Sequence, residues 1–499
     1  MRARAAPLNQ LNKWQRLTLL LTSAVLMSLS FHPIGLYFCA WFGLVPLFFA
    51  IDGMSLKSSF VSGIVFGFFF SLFSLFWLVF LQIEINIRML LLAGLILLFL
   101  YFGIYWGVGT LVSHRRLWLF PFAVAGLEFI RGIGEIGFPW LSLGYSQARY
   151  PLIIQQTSLY GVYGLSWWLV LANVSLYKVV TQRTLRYIII LLVIIAAPLV
   201  YGKIRMQRPQ GRTITIGIIQ PNIDPNLKFT RGMREKTFER LIALSRECAQ
   251  TKYLDLIIWP ETAIPIFLKT SGRYHDRVLS LVNSINTAVL TGTPVYEHAE
   301  DEVYNGAVLI EPHRGITQEY RKVHLVPFGE HIPFGQYIPF LRKIDVGGGD
   351  YAPGKKYTIF NAPAIDFSCL ICFESIFPEL SRRFVNRGAQ LLVNITNDGW
   401  FGTISGPQQH NDMAIIRAAE NAVPLARCSN TGISMVVDRY GRIQQETRLF
   451  REAYITSTVV IQSEKTVYQH LGDVVPIVSL LLVAVVVVFR ARKHTTRYN

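Results

Sequence analysis

Three short segments each place a reactive side chain directly after an apolar run. In Leu256-Ile-Ile-Trp-Pro-Glu261-Thr a β-branched stretch stops at Pro260 and a carboxylate follows, at the kind of strand end where catalytic groups are presented. In Tyr320-Arg-Lys322-Val-His-Leu-Val-Pro-Phe-Gly-Glu330 a lysine stands in a polar loop ahead of a second carboxylate. In Phe367-Ser-Cys-Leu-Ile-Cys372-Phe-Glu374 a strand-like run delivers a cysteine beside a third. Singly, each has an ordinary explanation: a surface or helix-opening Glu, a solvated Lys, a core Cys. Together they are the residue types of covalent acyl transfer. A thiol of pKa about 8.5 is only a few per cent thiolate at neutral pH, so a cysteine nucleophile needs a base and a nearby cation.

The elements that must position these groups are legible around them. Short β-branched runs at Thr213–Gln220, Leu256–Trp259, Ala288–Thr291, Ala307–Ile310, Ala364–Ile371, Leu391–Ile395 and Ser434–Asp438 read as strands. Helical stretches lie between several of them, at Met233–Thr251, Arg273–Asn286, Phe377–Asn386 and Gln408–Asn421. Strands alternating with helices and hairpins predict a layered α/β sandwich. Its limits are residues 213–465.

The rest of the chain belongs to another solvent. Of 499 residues 52% are hydrophobic and only 16% charged, and the apolar residues cluster before residue 205 and after residue 470. About 20 mostly apolar residues cross a bilayer. Spans are expected at Leu17–Phe31, Leu36–Ile51, Phe60–Leu81, Met89–Val112, Trp118–Ile130, Tyr160–Tyr177, Tyr187–Tyr201 and Leu471–Phe489. This gives a polytopic α-helical membrane domain of seven helices (1–205), the sandwich, and a C-terminal helix (471–489). Glu128 and Arg131, near the end of the fifth span, are expected to form an ion pair at the membrane interface. With eight spans, the segments on the side of the termini carry fourteen Lys and Arg; the short opposite loops carry only Arg88, Arg131 and Arg149. The positive-inside rule then puts both termini in the cytoplasm and the sandwich on the outer face. The net charge of +17 is thereby accounted for without nucleic acid, for which no motif is present. Five cysteines, Cys39, Cys248, Cys369, Cys372 and Cys428, form no disulfide framework, and Cys369–Cys372 lacks a second pair that would make a zinc site.

The order Glu261, Lys322, Cys372, at separations of 61 and 50 residues, resembles the nitrilase superfamily triad. The contexts match too, as do Asn394-Ile-Thr-Asn-Asp-Gly-Trp400-Phe-Gly and Arg417-Ala-Ala-Glu-Asn421 downstream. With seven spans before and one after, and with Phe138-Pro-Trp-Leu-Ser-Leu-Gly-Tyr-Ser146 between the fifth and sixth, nearly the whole chain resembles the apolipoprotein N-acyltransferases.

That resemblance implies an α-β-β-α sandwich and an enzyme of the bacterial inner membrane with a periplasmic catalytic domain. It implies a ping-pong reaction without cofactor or metal. Cys372 attacks a phospholipid, phosphatidylethanolamine being expected, and the resulting thioester passes its acyl chain to the α-amino group of a diacylglyceryl-cysteine lipoprotein. Glu261 is implied as general base, Lys322 as the cation that favours thiolate and oxyanion, and Glu330 and Glu374 as carboxylates that orient Lys322. Phe229 and Phe373 stand where relatives commonly carry Trp and Tyr, and with Trp400 are candidate lipid contacts; for Trp400 a core position is an equal alternative. Arg417 and Glu420 are expected to pair along a helix. A monomer is expected, and sharing the membrane plane with donor and acceptor raises their effective concentration. The competing readings are a membrane-tethered amidase acting on a small C–N bond and a non-catalytic ligand-binding receptor.

Overall fold

The computed structural model describes residues 11–81, 88–207, 211–224, 230–335, 351–461 and 464–495. Asn12 opens α1 (Lys13–Leu29) with a capping box: its side chain accepts from the Gln15 N–H, and the Gln15 side chain accepts from the Asn12 N–H. The second expected span is not one continuous helix. A 3₁₀ turn at Tyr37–Trp41 precedes a short α2 (Val45–Ile51), because Gly43 and Pro46 interrupt the apolar run. Then follow α3 (Leu56–Leu75), α4 (Arg88–Val112), α5 (Phe120–Arg131), α6 (Pro151–Ile154), α7 (Thr157–Gln182) and α8 (Leu185–Arg205). Among the described residues four helical stretches are long and apolar enough to cross a membrane: Leu56–Phe80, Arg88–Val112, Thr157–Gln182 and Leu185–Arg205.

Helices α3 and α4 approach along a seam of small residues. A Cβ on Gly63 would stand 2.6 Å from the Trp106 carbonyl, and one on Gly67 2.9 Å from Gly103 Cα, so only hydrogen fits there. Glu128 and Arg131 do not form the interfacial ion pair expected of them. Both are buried, and both turn to the loop that follows α5: Glu128 Oε1 accepts from the Leu143 N–H at 2.9 Å, and Arg131 Nη2 reaches Ser142 Oγ at 3.4 Å. Their charges brace that loop.

The sandwich comprises β1 (Arg212–Gln220), α9 (Arg231–Thr251), β2 (Leu256–Ile258), α10 (Gly272–Ile285), β3 (Ala288–Glu297), β4 (Glu302–Glu311), β5 (Gly315–Arg321), β6 (Ile359–Ala362), β7 (Ile365–Ile371), α11 (Pro378–Asn386), β8 (Leu391–Thr396), α12 (Gly406–Asn421), β9 (Leu425–Ser429), β10 (Met435–Val437), β11 (Ile443–Glu446) and β12 (Ala453–Ile461). Two six-stranded sheets, β12-β1-β2-β3-β4-β5 and β11-β10-β9-β8-β7-β6, lie face to face. Alternation sorts the side chains: Ile216, Ile218, Leu256 and Ile258 enter the core between the sheets. Ile219, Ile257 and Val289 cluster instead with Phe238, Leu241 and Leu281 of α9 and α10. Each sheet is therefore covered on its outer face by helices, as α-β-β-α. Strands β5, β6, β9, β11 and β12 were not anticipated from sequence. Finally α13 (Val467–Leu471) leads into α14 (Val474–Thr495).

The second sheet's helices rest on the membrane helices. The Arg417–Glu420 ion pair (3.0 Å) is fully buried along α12, as expected, and Glu420 Oε1 accepts from the Val162 N–H at 2.7 Å. That donor is available because α7 is bent at Gly161 (φ 70°), where a Cβ would lie 2.5 Å from the Tyr468 ring. Arg149 binds Asp412 at 2.8 Å, and Tyr145 donates to the Ile376 carbonyl at 3.1 Å.

Candidate active site

The three sequence segments converge at one end of the sandwich. Glu261 follows β2, Lys322 follows β5 and Cys372 follows β7, so each side chain emerges at the C-terminal end of its strand. Positive φ marks three turns there: Thr262 (46°), Phe328 (62°) and Cys372 (51°). For non-glycine residues such geometry costs about 1–3 kcal/mol each and persists only where neighbours hold it. At Cys372 it forms a tight elbow between β7 and the 3₁₀ turn Cys372–Ile376.

Lys322 is fully buried, and its ammonium is enclosed by carboxylates: Glu330 at 2.8 Å and Glu261 Oε1 at 3.9 Å. Burial alone would pull its pKa down, but Glu330 and Glu261 outweigh it and hold Lys322 above the usual ammonium range. Asn305, on β4, completes the cluster: Nδ2 donates to Glu261 Oε1 and to Glu330 Oε1, both at 2.8 Å, and its carbonyl accepts from the Lys322 N–H at 2.8 Å. Glu330 Oε2 also accepts from the Val326 N–H at 2.9 Å. Glu330 thus touches Lys322 directly.

Glu374 feels the Lys322 charge without touching it. Among the described residues it makes no hydrogen bond or ion pair with the Lys322 ammonium; it ties the lysine loop to the Cys372 elbow. Its Oε1 accepts from Tyr320 Oη (2.7 Å) and the N–H groups of Val323 (2.7 Å) and His324 (3.2 Å), and Oε2 accepts from the Ile371 N–H at 2.7 Å. Burial pushes its carboxyl up to about 7, and these donors pull against that rise. Burial likewise pushes the Cys372 thiol well above the free-cysteine value; Glu261 adds to the rise and Lys322 opposes it.

Aromatic side chains form the wall between the elbow and the membrane helices. Phe373 is buried, stacked on Phe138 at 6.2 Å and edge-on to Phe377 at 5.2 Å. Trp400 is 41% exposed and is not a core residue, while the next residue, Phe401, packs on Trp77 and Trp140. Phe229 lies outside the described residues. Cys369 is buried in the sandwich core.

Sequence reasoning missed Asn305, and of the buried polar cluster behind the elbow it missed His410 and Arg427, with Asn394 and Asp398 noted only as part of a motif. Arg427 Nη2 lies 2.7 Å from Asp398, whose other oxygen is 3.0 Å from His410 Nδ1. An available signal was polarity inside apolar strands: Asn305 in Val-Tyr-Asn-Gly-Ala-Val-Leu-Ile and Arg427 in Leu-Ala-Arg-Cys-Ser.

Comparison with known proteins agrees with both halves of the chain. Residues 23–175 match the apolipoprotein N-acyltransferase N-terminal domain family, and residues 215–468 the carbon-nitrogen hydrolase family. An apolipoprotein N-acyltransferase of Geobacter metallireducens is 34% identical, over 96% of this chain and 95% of that one. One of Chlorobaculum tepidum is 31% identical over 94% and 96%. A carbon-nitrogen hydrolase of Helicobacter pylori G27, of known crystal structure, aligns with 52% of this chain and 94% of its own at 17% identity and a TM-score of 0.39. Identity above 30% over nearly the full length of two relatives, with both domain families matched, shows that this membrane protein belongs to the apolipoprotein N-acyltransferase family.

Proposed function

We propose that this protein transfers an acyl chain from a membrane phospholipid, with phosphatidylethanolamine the expected donor, to the α-amino group of diacylated lipoproteins through a thioester on Cys372. The observation that carries the reading is a buried ammonium held between two carboxylates at the strand ends that also present Cys372, whose thiol burial pushes up. Such a thiol needs a base at the moment of attack. Glu261 takes its proton as Sγ adds to the ester carbonyl, and Lys322 faces the oxyanion that develops. Collapse expels the lysophospholipid alkoxide, which recovers the proton from Glu261. The incoming amine then adds to the thioester, gives its proton to Glu261, and releases Cys372 with that proton returned to sulfur. Splitting the exchange into two acyl transfers eases each.

Glu330 and Asn305 position Lys322 and Glu261, and Glu374 positions the loops. Phe373 and Trp400, and Phe229 at the sequence level, are the proposed lipid contacts. We place the catalytic unit (213–465) on the periplasmic side of the bacterial inner membrane, between seven N-terminal helices (1–205) and a C-terminal one (471–489), with both termini cytoplasmic and the chain a monomer. The basic-residue count supports this. So does Arg490, which donates to the Val112 and His114 carbonyls at 3.0 Å each, bringing the basic end of α14 to the basic α4–α5 turn. Purified enzyme in phospholipid nanodiscs with a diacylated lipopeptide tests the reading. N-acylation by wild type, abolished in Glu261→Gln, Lys322→Met and Cys372→Ala, is expected. Turnover of a small soluble amide without lipopeptide acylation would favour the amidase reading instead.

A further inference from the structure

The nucleophile's own carbonyl is held by a second set of buried groups that the acyl-transfer steps leave unused. Cys372 O lies 3.1 Å from His410 Nε2, 3.1 Å from Ser375 Oγ and 3.4 Å from Asn394 Nδ2. A carbonyl only accepts, so a bond to Cys372 O takes a proton on Nε2, which also lies 3.0 Å from Ser375 Oγ; Nδ1 stands between Arg427 Nη2 at 2.9 Å and Asp398 Oδ1 at 3.0 Å. Burial, reinforced by Arg427, pulls the ring's pKa down, and Asp398 and the Cys372 carbonyl pull against that fall. Arg427 is consumed in aiming this set: one nitrogen serves Asp398 and His410, and the other binds Asn394 Oδ1. Asp398 is fixed in turn by Thr396 Oγ1 at 2.9 Å. Three donors on the carbonyl favour the left-handed backbone of Cys372 (φ 51°), since an extended backbone would turn that oxygen away from them.

The residue before His410 faces the other way. Gln409 Oε1 accepts from Trp77 Nε1 at 3.2 Å and Trp140 Nε1 at 2.8 Å, while Nε2 donates to the carbonyls of His32 at 2.8 Å and Ser74 at 2.9 Å. All four bonds go to the membrane-helix part of the chain, and both ends of the amide are saturated. Two adjacent residues at the start of α12 thus join the membrane helices to the nucleophile's backbone.

We infer that His410 is a positioning residue that holds the Cys372 elbow in its reactive conformation through the nucleophile's carbonyl, and that Gln409 couples this hold to the seating of the membrane helices. The inference rests on the thioester reading above, and one experiment separates the two. Full-length wild type, Cys372→Ala, His410→Gln, His410→Asn and Gln409→Leu are mixed with phosphatidylethanolamine, and single-turnover acylation is followed by intact mass alongside melting temperature. A Gln side-chain nitrogen reaches the position of His Nε2, whereas that of Asn stops short. His410→Gln is therefore expected to acylate within about threefold of wild type and His410→Asn about tenfold or more slower, with the lipid concentration for half-maximal rate unchanged. Gln409→Leu, which leaves the polar cluster intact, is expected to slow acylation severalfold and carries the test if His410→Asn does not fold. Equal rates for His410→Gln and His410→Asn, or a wild-type rate in Gln409→Leu, would overturn the inference. No adduct on wild type would instead sink the thioester reading.

Discussion

Replacing Glu330 by Gln removes one of two carboxylates that share the buried Lys322 ammonium. At an effective dielectric of about 20, unit charges at the observed 2.8 and 3.9 Å attract by about 6 and about 4 kcal/mol respectively. The two pulls are comparable, so the ammonium rests in a balance; with Glu330 neutral it moves toward Glu261. Stability should fall by about 2–3 kcal/mol, less than the about 3–5 kcal/mol for a buried pair with no second partner. Catalysis should lose more, because a base closely paired with the ammonium is a poor acceptor for the Cys372 proton. A drop of about 10²–10³ in the acylation rate constant is expected, within the usual contribution of a general base, with the phospholipid dependence little changed. Stopped acylation with mass detection, normalised to folded protein, measures it. A rate within threefold of wild type would refute the idea that Glu330 keeps Lys322 and Glu261 apart.

Gly292 supplies a purely steric test: a Cβ there would meet Thr262 N at 2.5 Å and Glu261 Cα at 2.7 Å. Gly292→Ala should therefore displace the base by up to about 1 Å and cost about 10²-fold in acylation; an unchanged rate would show that the β2 end gives way without consequence. The raised Cys372 thiol fixes a pH dependence. Its thiolate fraction grows only above the ordinary range near 8.5, so alkylation by iodoacetamide at Cys372 should still be climbing at pH 9.5. A plateau near pH 8 would mean that Lys322 outweighs burial and Glu261.

The candidate catalytic groups were legible because each sits in a short contiguous signal, an apolar strand and the side chain just beyond it. What was not legible depends on distant pairing. Strand β12 joins β1 across more than 200 residues, Arg212 opposite Ile461, and reads by itself as an ordinary alternating run ahead of the final helix. Asn305 becomes part of the site only because β4 pairs with β5 in the register Gly306–Arg321, which sets its carbonyl beneath Lys322. Glu374 stands two positions from Cys372 in sequence, yet its work is done on the backbone at Val323 and His324. Glu128 and Arg131 look like a helix-end pair one turn apart, and the loop they hold becomes visible only once α5 and the 3₁₀ turn after it are folded together. The apolar run at Leu36–Ile51 had the composition of a span, and its Gly43 and Pro46 decided the local geometry against a continuous helix.

Intact-mass spectrometry of wild type and Cys372→Ala after incubation with phosphatidylethanolamine tests the account at its centre. A hydroxylamine-labile gain of one acyl chain, present on wild type alone and discharged by a diacylated lipopeptide, is the predicted result. An unmodified wild type that nevertheless acylates the lipopeptide would contradict it, because transfer would then proceed without a thioester on Cys372.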